Sequence, residues 1–382
     1  MKSFGKAPQG LRLERLQASP LWTPQGLRNR HPVLPGLRDA TAPRPTLTDF
    51  LCGGERRVPR GPLPAHDPRE AWRRPPGSGL RATWLGHSTV LIEIGGRRVL
   101  TDPVWGARAS PSRLVGPRRF QPVPVALRAL PPVDLVVISH DHYDHLDLPT
   151  IRALAKTGVP FVTALGVGAH LEAWGVPPER ITELDWWQTH TVPGTGLEIS
   201  AAPSQHFSGR GLKDRNATLW ASMVIASPRH RVFFSGDTGL TTEYADIARR
   251  LGPFDLVMLE VGAFHPSWGD IHLGPANALQ PGSCWAAHRA AACSCRCTGA
   301  PSAWRCMPGT NRWKRCCSWP RSMARRCCCR RWARRWSRHT ARWTSPGGAV
   351  WTACRCHPPA RRTRPRQPPC PRACPGRPIE IG

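Results

Sequence analysis

Apolar runs alternate with helix-type segments between residues 82 and 264 of the 382-residue chain. The run VDLVVIS, at 133–139, is almost continuously apolar, which is typical of a strand buried on both faces. The other predicted strands are ATWLGHSTVLIEI, VLTDP, PFVTAL, ITELDWW, LEISAAPS, ASMVIAS, HRVFFSG and FDLVMLEV, with a tight turn at GGRR between the first two. Helices are predicted for AHLEAWG, DLPTIRALAKTG and EYADIARRLG. Strands interleaved with helices predict a layered α/β domain, which we bound at 81–280.

The segment before this domain, residues 1–80, has a different character. It is rich in Pro, Arg and Gly, so we expect an extended arm lying on the domain or a partly disordered segment. Two short anchors are predicted, at Leu21-Trp22 and at Leu47–Leu51. The first residues, MKSFGKAPQG, lack the apolar region of a signal peptide, and no run of about 18 apolar residues occurs. We therefore expect a cytoplasmic protein without a transmembrane helix.

Positive charge and cysteine are concentrated in the last part of the chain, residues 281–382. This segment holds 22 of the 54 Lys and Arg residues but a single acidic residue, Glu380, of the 25. The first 280 residues therefore carry a net charge of +8, against +29 for the whole chain. Of the 15 cysteines, Cys52 alone precedes Cys284. The body of the chain is thus typical of a reduced intracellular protein without a disulfide framework.

A cluster of metal-ligand side chains, SHDHYDHLD at 139–147, directly follows the strand VDLVVIS. It places His140, His142, Asp144 and His145 within six residues. Imidazole nitrogens and carboxylate oxygens are ligands that zinc takes in catalytic sites. Alternation along an extended loop lets the first two histidines share one metal and directs the other pair at a second. Solvated surface histidines are the alternative, which four such residues at this spacing disfavour.

Two later residues extend the same candidate site. His206, in SAAPSQHFSG, and Asp237, in FFSGDTG, each follow a predicted strand, and Gly236 and Gly239 allow a tight turn around the aspartate. Either residue alone could be a cap or a turn residue, but both together with HDHYDH favour a metal centre. An aspartate can bridge two cations about 3.5–4 Å apart, as in two-metal hydrolytic sites.

The motifs HDHYDHLD and GDTG, with His206 between them, resemble the metallo-β-lactamase fold superfamily. More narrowly, TWLGHSTVLIEI, LTDPVW, SHDHYDHLD, DRNATLW and FFSGDTG resemble the N-acyl-phosphatidylethanolamine-hydrolysing phospholipase D family and its bacterial relatives, over roughly residues 45–279. The resemblance implies an α/β fold of four layers. In this αβ/βα sandwich, two mixed sheets pack face to face with helices outside, and a dinuclear zinc site lies at one edge.

The resemblance also implies which residues would bind the two zinc ions. His140, His142 and His206 would hold one ion, Asp144 and His145 would hold the other, and Asp237 would bridge them. A metal-bridging hydroxide would be the nucleophile. Asp144 is accordingly counted among the catalytic residues as well as among the metal ligands.

Two further histidines are assigned by the resemblance alone. His272, in GDIHLGP, matches a position near the active site, where it would act as a catalytic residue by orienting the phosphate or assisting the leaving group. The alternative is a loop histidine without a role. His87, in WLGHST, would support the metal ligands from behind.

The family pattern needs one more zinc ligand beyond residue 280, a histidine in a motif like HWGTF, and this chain has no such motif. The last 102 residues contain no Leu, Phe or Tyr, which is too little aliphatic surface to offset the entropy of ordering. A one-base shift of the reading frame explains this composition, because GC-rich leucine codons read out of step give cysteine and tryptophan. Back-translation from Arg296 with chosen wobble bases, read in the shifted frame, gives VHWGTFSLALHAWDEPVEALLLL. The lost histidine codon then straddles Cys297 and Thr298.

We therefore interpret residues 281–382 as a frameshifted, disordered tail, with the shift between about Leu279 and Cys293. A zinc cluster built from CSCRC and CCC would lack the C-x₂-C pairing of known zinc modules. A nucleic-acid-binding tail would account for the charge and the tryptophans but not for the missing leucines. The frameshift predicts an incomplete catalytic fold and a weakened second zinc site.

The leading hypothesis is a zinc-dependent phosphodiesterase of phospholipase D type that hydrolyses phospholipids similar to N-acyl phosphatidylethanolamine. The alternatives are a metallo-hydrolase of another ester or lactone and an inactive product that lacks the last zinc ligand. The expected partner is a phospholipid or another small molecule, with peripheral contact to the inner membrane face. No specific nucleic acid is expected, and the sequence leaves the oligomeric state open.

Overall fold

The computed structural model describes residues 2–33, 59, 61–112, 114–262, 268 and 270–278, together with the backbone of two short strands at 293–296 and 351–352. Within these residues the α-helices are α1 Leu11–Gln17, α2 Arg69–Trp72, α3 Leu148–Ala155, α4 Gly168–Ala173, α5 Glu243–Leu251 and α6 Gly274–Asn277. The strands are β1 Trp22–Thr23, β2 Gly26–Leu27, β3 Leu80–Gly86, β4 Thr89–Ile94, β5 Arg97–Thr101, β6 Leu135–Ile138, β7 Phe161–Ala164, β8 Ile181–Leu184, β9 Thr189–Val192, β10 Leu197–Ala202, β11 Ser222–Ala226, β12 Arg231–Phe234, β13 Leu256–Leu259, β14 Cys293–Arg296 and β15 Trp351–Thr352.

The first sheet has the strand order β15-β3-β4-β5-β6-β7-β8. Its strands β3, β4 and β5 pair antiparallel, whereas β5 to β8 are parallel neighbours. Parallel strands need a crossover, and helices α3 and α4 supply it between β6 and β7 and between β7 and β8. Strand β6 is buried at every residue, as predicted for a strand covered on both faces.

The second sheet has the order β14-β13-β12-β11-β10-β9. Strands β9 to β12 pair antiparallel, and β12 to β14 pair parallel, with α5 crossing between β12 and β13. Both sheets are therefore mixed.

Alternation along the strands of the second sheet shows how the layers pack. Val232 and Phe234 lie in the large core cluster that also contains residues from the first sheet. Phe233, which lies between them, belongs to a second cluster with Tyr244 and Ile247 of α5. One face of β12 thus packs toward the other sheet and the opposite face packs against a helix, as the pleat of a strand requires. The predicted αβ/βα sandwich is confirmed.

Helix α3 begins directly after the HDHYDHLD cluster. The Asp147 carboxylate caps it by accepting a hydrogen bond from the Thr150 backbone N–H at 3.2 Å. The same carboxylate accepts the Gly106 backbone N–H at 3.1 Å. These bonds fix the end of the cluster to the start of a helix and to the neighbouring loop.

One element boundary differs from the sequence-based prediction. The stretch ATWLGHSTVLIEI is not one strand but two, β3 and β4, which form a hairpin with Gly86 opposite Thr89. Gly86 and His87 have φ angles of 120° and 49°, so the turn uses left-handed backbone conformations that glycine adopts readily. The prediction was wrong because apolar residues continue on both sides of a very short turn.

Residues 2–33 form a segment that we call the N-terminal arm, and it packs on the domain. It contains a 3-10 helix at Lys2–Phe4, helix α1 and the β1–β2 hairpin. The Leu16 and Leu27 side chains are almost completely buried in the main core cluster, and Leu21 is buried as well. The predicted anchor at Leu21-Trp22 is therefore confirmed.

Several predictions fall on residues outside the described part of the chain. These are the second anchor at Leu47–Leu51, the lost histidine codon at Cys297 and Thr298, and all of the predicted tail except β14 and β15. The domain limits and the disordered tail stay predictions. Among the described residues, no helix is long and apolar enough to span a membrane.

Candidate metal centre

The candidate ligands follow strands of both sheets. His140 comes two residues after β6 of the first sheet, whereas His206 and Asp237 follow β10 and β12 of the second sheet. Among the described residues, four groups of three side chains bring their ligand atoms within 4.8 Å of one another: His140, His142, His206; His87, Asp144, His145; Asp102, His140, His145; and His206, Asp237, His272. All of the predicted metal ligands are in these groups, and so is the predicted catalytic His272.

The first set of ligand atoms belongs to His140, His142 and His206, which we call the first metal group. His140 Nε2 lies 3.0 Å from His142 Nδ1, and His206 Nε2 lies 3.2 Å from the same Nδ1. Zinc–nitrogen bonds of about 2.0–2.1 Å in a tetrahedral site place ligand atoms roughly 3.3 Å apart. His142 Nδ1 is therefore close to this spacing from both other nitrogens, and all three ligand atoms lie within 4.8 Å of one another.

The protonation of this group also suits a cation. Burial lowers the pKa of His140 well below its ordinary 6.5, and the charges of the neighbouring histidines lower it further. Burial and the neighbouring histidines have the same effect on the pKa of His206. Neutral imidazoles offer a lone pair, which is the form that binds a metal.

Asp144, His145 and Asp237, which we call the second metal group, lie beside the first. His145 Nε2 is 3.2 Å from Asp237 Oδ2. His87 Nε2 adjoins this group, at 3.2 Å from both Asp144 Oδ2 and His145 Nε2. His87 Nε2, at the β3–β4 turn, therefore lies beside the ligand atoms rather than behind them, and its supporting role stays a prediction.

Asp237 of the second metal group also lies close to the first group. Its Oδ2 is 3.2 Å from His145 Nε2 and 3.9 Å from His206 Nε2, so one carboxylate oxygen is close to a ligand atom of each group. Burial raises the pKa of Asp237, but the charge and hydrogen bond of His145 outweigh burial and hold that pKa well below 3.8. An ionised carboxylate in this position is suited to bridge two cations.

Partners behind the ligands fix which ring nitrogen faces the centre. His145 Nδ1 is hydrogen-bonded to Asp102 Oδ2 at 2.7 Å, and His206 Nδ1 to the Ile271 carbonyl oxygen at 3.0 Å. The Nε2 atoms of both histidines therefore face the candidate centre. The sequence-based reasoning did not single out Asp102, although it ends the apolar strand in LTDPVW, at the same edge as the other ligands.

His272 lies next to the first metal group and is paired with a buried acid. Its ring centroid is 5.0 Å from that of His206, and its Nδ1 is 2.8 Å from Glu260 Oε2. The Glu260 carboxylate also accepts the backbone N–H groups of Leu273 at 2.9 Å and Thr238 at 3.2 Å. Sequence-based reasoning missed Glu260, whose signal is a single acid at the end of the apolar run FDLVMLEV.

The pairing changes the proton affinity of His272. Burial lowers its pKa, but the charge and hydrogen bond of Glu260 raise the pKa by more, to about 9. His272 is therefore protonated at neutral pH, with Nδ1 held by Glu260 and Nε2 left as the second donor.

Buried imidazoles and carboxylates gathered where strands of an αβ/βα sandwich end form a candidate site for metal ions. A model of the β-lactamase superfamily domain matches residues 97–292, just over half of the chain. The chain belongs to this superfamily.

Proteins of known sequence are similar to this chain over more than half of its length. An uncharacterised protein of Mycobacterium tuberculosis is 52% identical over 223 residues, which are 58% of this chain and 59% of the relative. The N-acyl-phosphatidylethanolamine-hydrolysing phospholipase D 1 of Caenorhabditis elegans is 38% identical over 213 residues, which are 53% of this chain and 60% of that enzyme. The crystal structure of an isothiocyanate hydrolase from Delia radicum gut bacteria has a TM-score of 0.49 at 20% identity, over 64% of this chain and 94% of that one. The chain thus spans about three-fifths of the length of these two sequence relatives.

Proposed function

We propose that this chain is a zinc-dependent phosphodiesterase that hydrolyses phospholipids of the N-acyl phosphatidylethanolamine type. The observation that carries the proposal is Asp237 Oδ2, which lies close to ligand atoms of both metal groups. Two cations held this close together are suited to phosphate diesters, since both the attacking and the leaving oxygen need stabilisation. The 38% identity to a phospholipase D of this type supports the choice of substrate.

The residues that would hold zinc are those of the two metal groups. His140, His142 and His206 would bind one ion, Asp144 and His145 the other, and Asp237 both. When bound, the ions would supply Lewis acidity toward the phosphoryl group and lower the pKa of water. The convergent nitrogens of the first group, with their lowered pKa values, and the ionised Asp237 support zinc as the ion.

His272 would donate the proton that the leaving oxygen needs. Glu260 keeps its imidazole charged and holds Nδ1, so Nε2 is the donor to the leaving alkoxide of the ethanolamide. Hydrolysis at phosphorus then puts the oxygen of water on the phosphate and gives a phosphatidic acid and an N-acylethanolamine. The predicted catalytic role of His272 is part of this proposal.

Exposed apolar side chains support peripheral contact with a phospholipid surface. Leu114, Val115 and Leu212 are 84%, 71% and 103% exposed, the first two in the loop before Arg118 and the third beside Lys213. Apolar side chains next to cationic ones favour an anionic membrane surface. We propose the inner face of the cytoplasmic membrane as the place where the chain meets its substrate.

The test is hydrolysis by the full chain after chelation and reloading with Zn²⁺. Vesicles that contain N-acyl phosphatidylethanolamine would be incubated in ¹⁸O-labelled water, beside a panel of lactones and carboxylic esters. We expect ¹⁸O in the phosphatidic acid, loss of activity in His206→Ala, and unchanged activity in His190→Ala, a residue on β9 away from both groups. Activity confined to lactones or esters would contradict the phospholipid, and no activity at all would support the inactive product.

A further inference from the structure

Asn29 of the N-terminal arm is hydrogen-bonded to both backbone groups of His206, 177 residues away. Its Nδ2 donates to the His206 carbonyl oxygen at 2.8 Å. The His206 backbone N–H in turn donates to Asn29 Oδ1 at 3.1 Å. The indole N–H of Trp220 donates to the same Oδ1, also at 3.1 Å. The amide side chain of Asn29 therefore pairs with both backbone groups of His206, as a neighbouring β-strand would, and His206 is a candidate metal ligand.

These bonds, with one other, determine where His206 Nε2 lies. Asn29 holds the backbone of His206, and the Ile271 carbonyl oxygen holds its ring through Nδ1 at 3.0 Å. With both the backbone and the ring held, Nε2 lies 3.2 Å from His142 Nδ1. His206 has no regular strand partner at this position, because it follows the end of β10. Without Asn29, its backbone would lose the bonds that fix the nitrogen in the first metal group.

The arm is also linked to the other segment of that group, the HDHYDHLD loop, through the side chain of Arg210. The Ser3 carbonyl oxygen accepts hydrogen bonds from Arg210 Nη2 at 3.0 Å and Nε at 3.2 Å. Arg210 Nη1 donates to the Leu146 carbonyl oxygen at 3.0 Å and also to that of Asp141. The Arg210 guanidinium thus bonds to backbone carbonyl groups on both sides of His142 and His145 and fixes the loop. The arm in turn bonds to the same guanidinium through its Ser3 carbonyl oxygen.

We propose that the N-terminal arm contributes to metal binding by the first metal group, with Asn29 as the residue that positions His206. The arm contacts the His206 segment of the first metal group directly and the HDHYDHLD segment through Arg210, and neither link involves a ligand atom. The inference rests on the proposed zinc centre. The new element is that zinc affinity depends on Asn29, a side chain outside the superfamily match at 97–292.

Two substitutions and one matched control test the inference on the full chain. Asn29→Asp keeps the size of the side chain but places a second carboxylate oxygen against the His206 carbonyl oxygen, and Asn29→Ala removes all three bonds. The control is Arg30→Ala, the next residue of the arm, which loses a half-exposed ion pair with Glu243 at 3.2 Å. Zn²⁺ affinity would be measured by competition with a chelator, and ligand geometry from the visible absorption of Co²⁺-loaded protein.

We expect both Asn29 variants to bind the first Zn²⁺ about tenfold or more weakly, as for other partners behind metal ligands. Their Co²⁺ spectra should change, while Arg30→Ala stays within about twofold of the parent chain. A purely structural role would lower the melting temperature of the metal-free variants and leave zinc affinity and spectra unchanged, and that result would overturn the inference. If Asn29→Ala does not fold, Asn29→Asp decides. Failure of the parent chain to bind zinc would overturn the proposed function and this inference together.

Discussion

His145 Nδ1 lies 2.7 Å from Asp102 Oδ2, and neither side chain has any exposed surface. The same carboxylate accepts the Ser139 backbone N–H at 2.7 Å and the Ser139 hydroxyl at 2.6 Å. The His145 Nδ1–H, the Ser139 backbone N–H and the Ser139 hydroxyl all donate hydrogen bonds, so both carboxylate oxygens of Asp102 must be acceptors. The histidine is thereby held with its proton on Nδ1 and with Nε2 facing the metal centre. Burial lowers the pKa of His145, but the charges of Asp237 and Asp144 raise it well above 6.5, so a metal ion has to displace the proton on Nε2.

Substitution of Asp102 by Asn should weaken zinc binding by the second metal group about 10- to 100-fold. An amide has one accepting oxygen, so its NH₂ group must meet either Ser139 or His145 Nδ1. If it meets His145, the imidazole proton moves to Nε2 and the lone pair for zinc is lost. Zinc per chain would be measured after dialysis against a weak chelator, with Asp134→Asn as the control because Asp134 bonds to Arg97 and Arg98 away from the centre. Equal zinc retention in both variants would contradict this role.

Substitution of Glu260 by Gln should lower the rate of phospholipid hydrolysis about 100-fold without loss of zinc. The Glu260 charge raises the pKa of His272, so its removal lowers that pKa and leaves less imidazolium at neutral pH. The alkaline limb of the pH–rate profile should therefore move to lower pH. Both rate and zinc content would be measured from pH 5 to 10.

A double variant separates this role from a general loss of structure. If Glu260 acts through His272, Glu260→Gln should have little further effect on the rate in a His272→Asn background. Additive losses would show that the two side chains act independently.

Substitution of Gly236 by Ala should destabilise the fold more than the same change at Gly96. Both glycines have left-handed backbone, with φ of 56° and 78°, so each alanine costs about 1–2 kcal/mol in strain. A Cβ at position 236 would also lie 2.6 Å from Ser139 Cβ, whereas a Cβ at position 96 has nothing within 4 Å. We expect about 1–3 kcal/mol of additional destabilisation from this overlap. Urea unfolding of the metal-free chains measures the difference, and equal losses would argue against a tight contact.

Restoring the reading frame between about Leu279 and Cys293 should increase tightly bound zinc from one to two ions per chain. The restored segment would contain HWGTF and thus one more histidine for the second metal group. The first step is to sequence the genomic DNA across codons 275 to 300, and the second is to titrate both chains with zinc. An unchanged stoichiometry in the restored chain would show that this histidine is not a ligand.

The parts of the fold that could be predicted from sequence are those with a local signal. LVVI in β6 and the helix pattern of α5 each determine their own structure within a few residues. The metal ligands could be named for the same reason, since four of them occur within six residues of HDHYDHLD. The β3–β4 boundary could not be located, because the turn occupies only two residues between apolar strands.

The supporting side chains could not be predicted because their roles depend on distant partners. Asn29 bonds to a residue 177 positions away, and its surroundings in a Pro- and Arg-rich segment give no hint of this. Glu260 is a single acid after an apolar strand, and its role follows from His272, which is 12 positions further along the chain. Such roles arise from tertiary contact rather than from local pattern.

His142 follows a strand of the first sheet and His206 a strand of the second, 64 positions apart in the chain. A cation bound by both would cross-link the two sheets. A covalent link that closes a loop of this length stabilises the folded state by about 4 kcal/mol in the chain-entropy model. Separation of the sheets would then require release of the ion, so the metal-loaded domain should unfold as a single cooperative unit, and metal loading should slow the first opening between its halves.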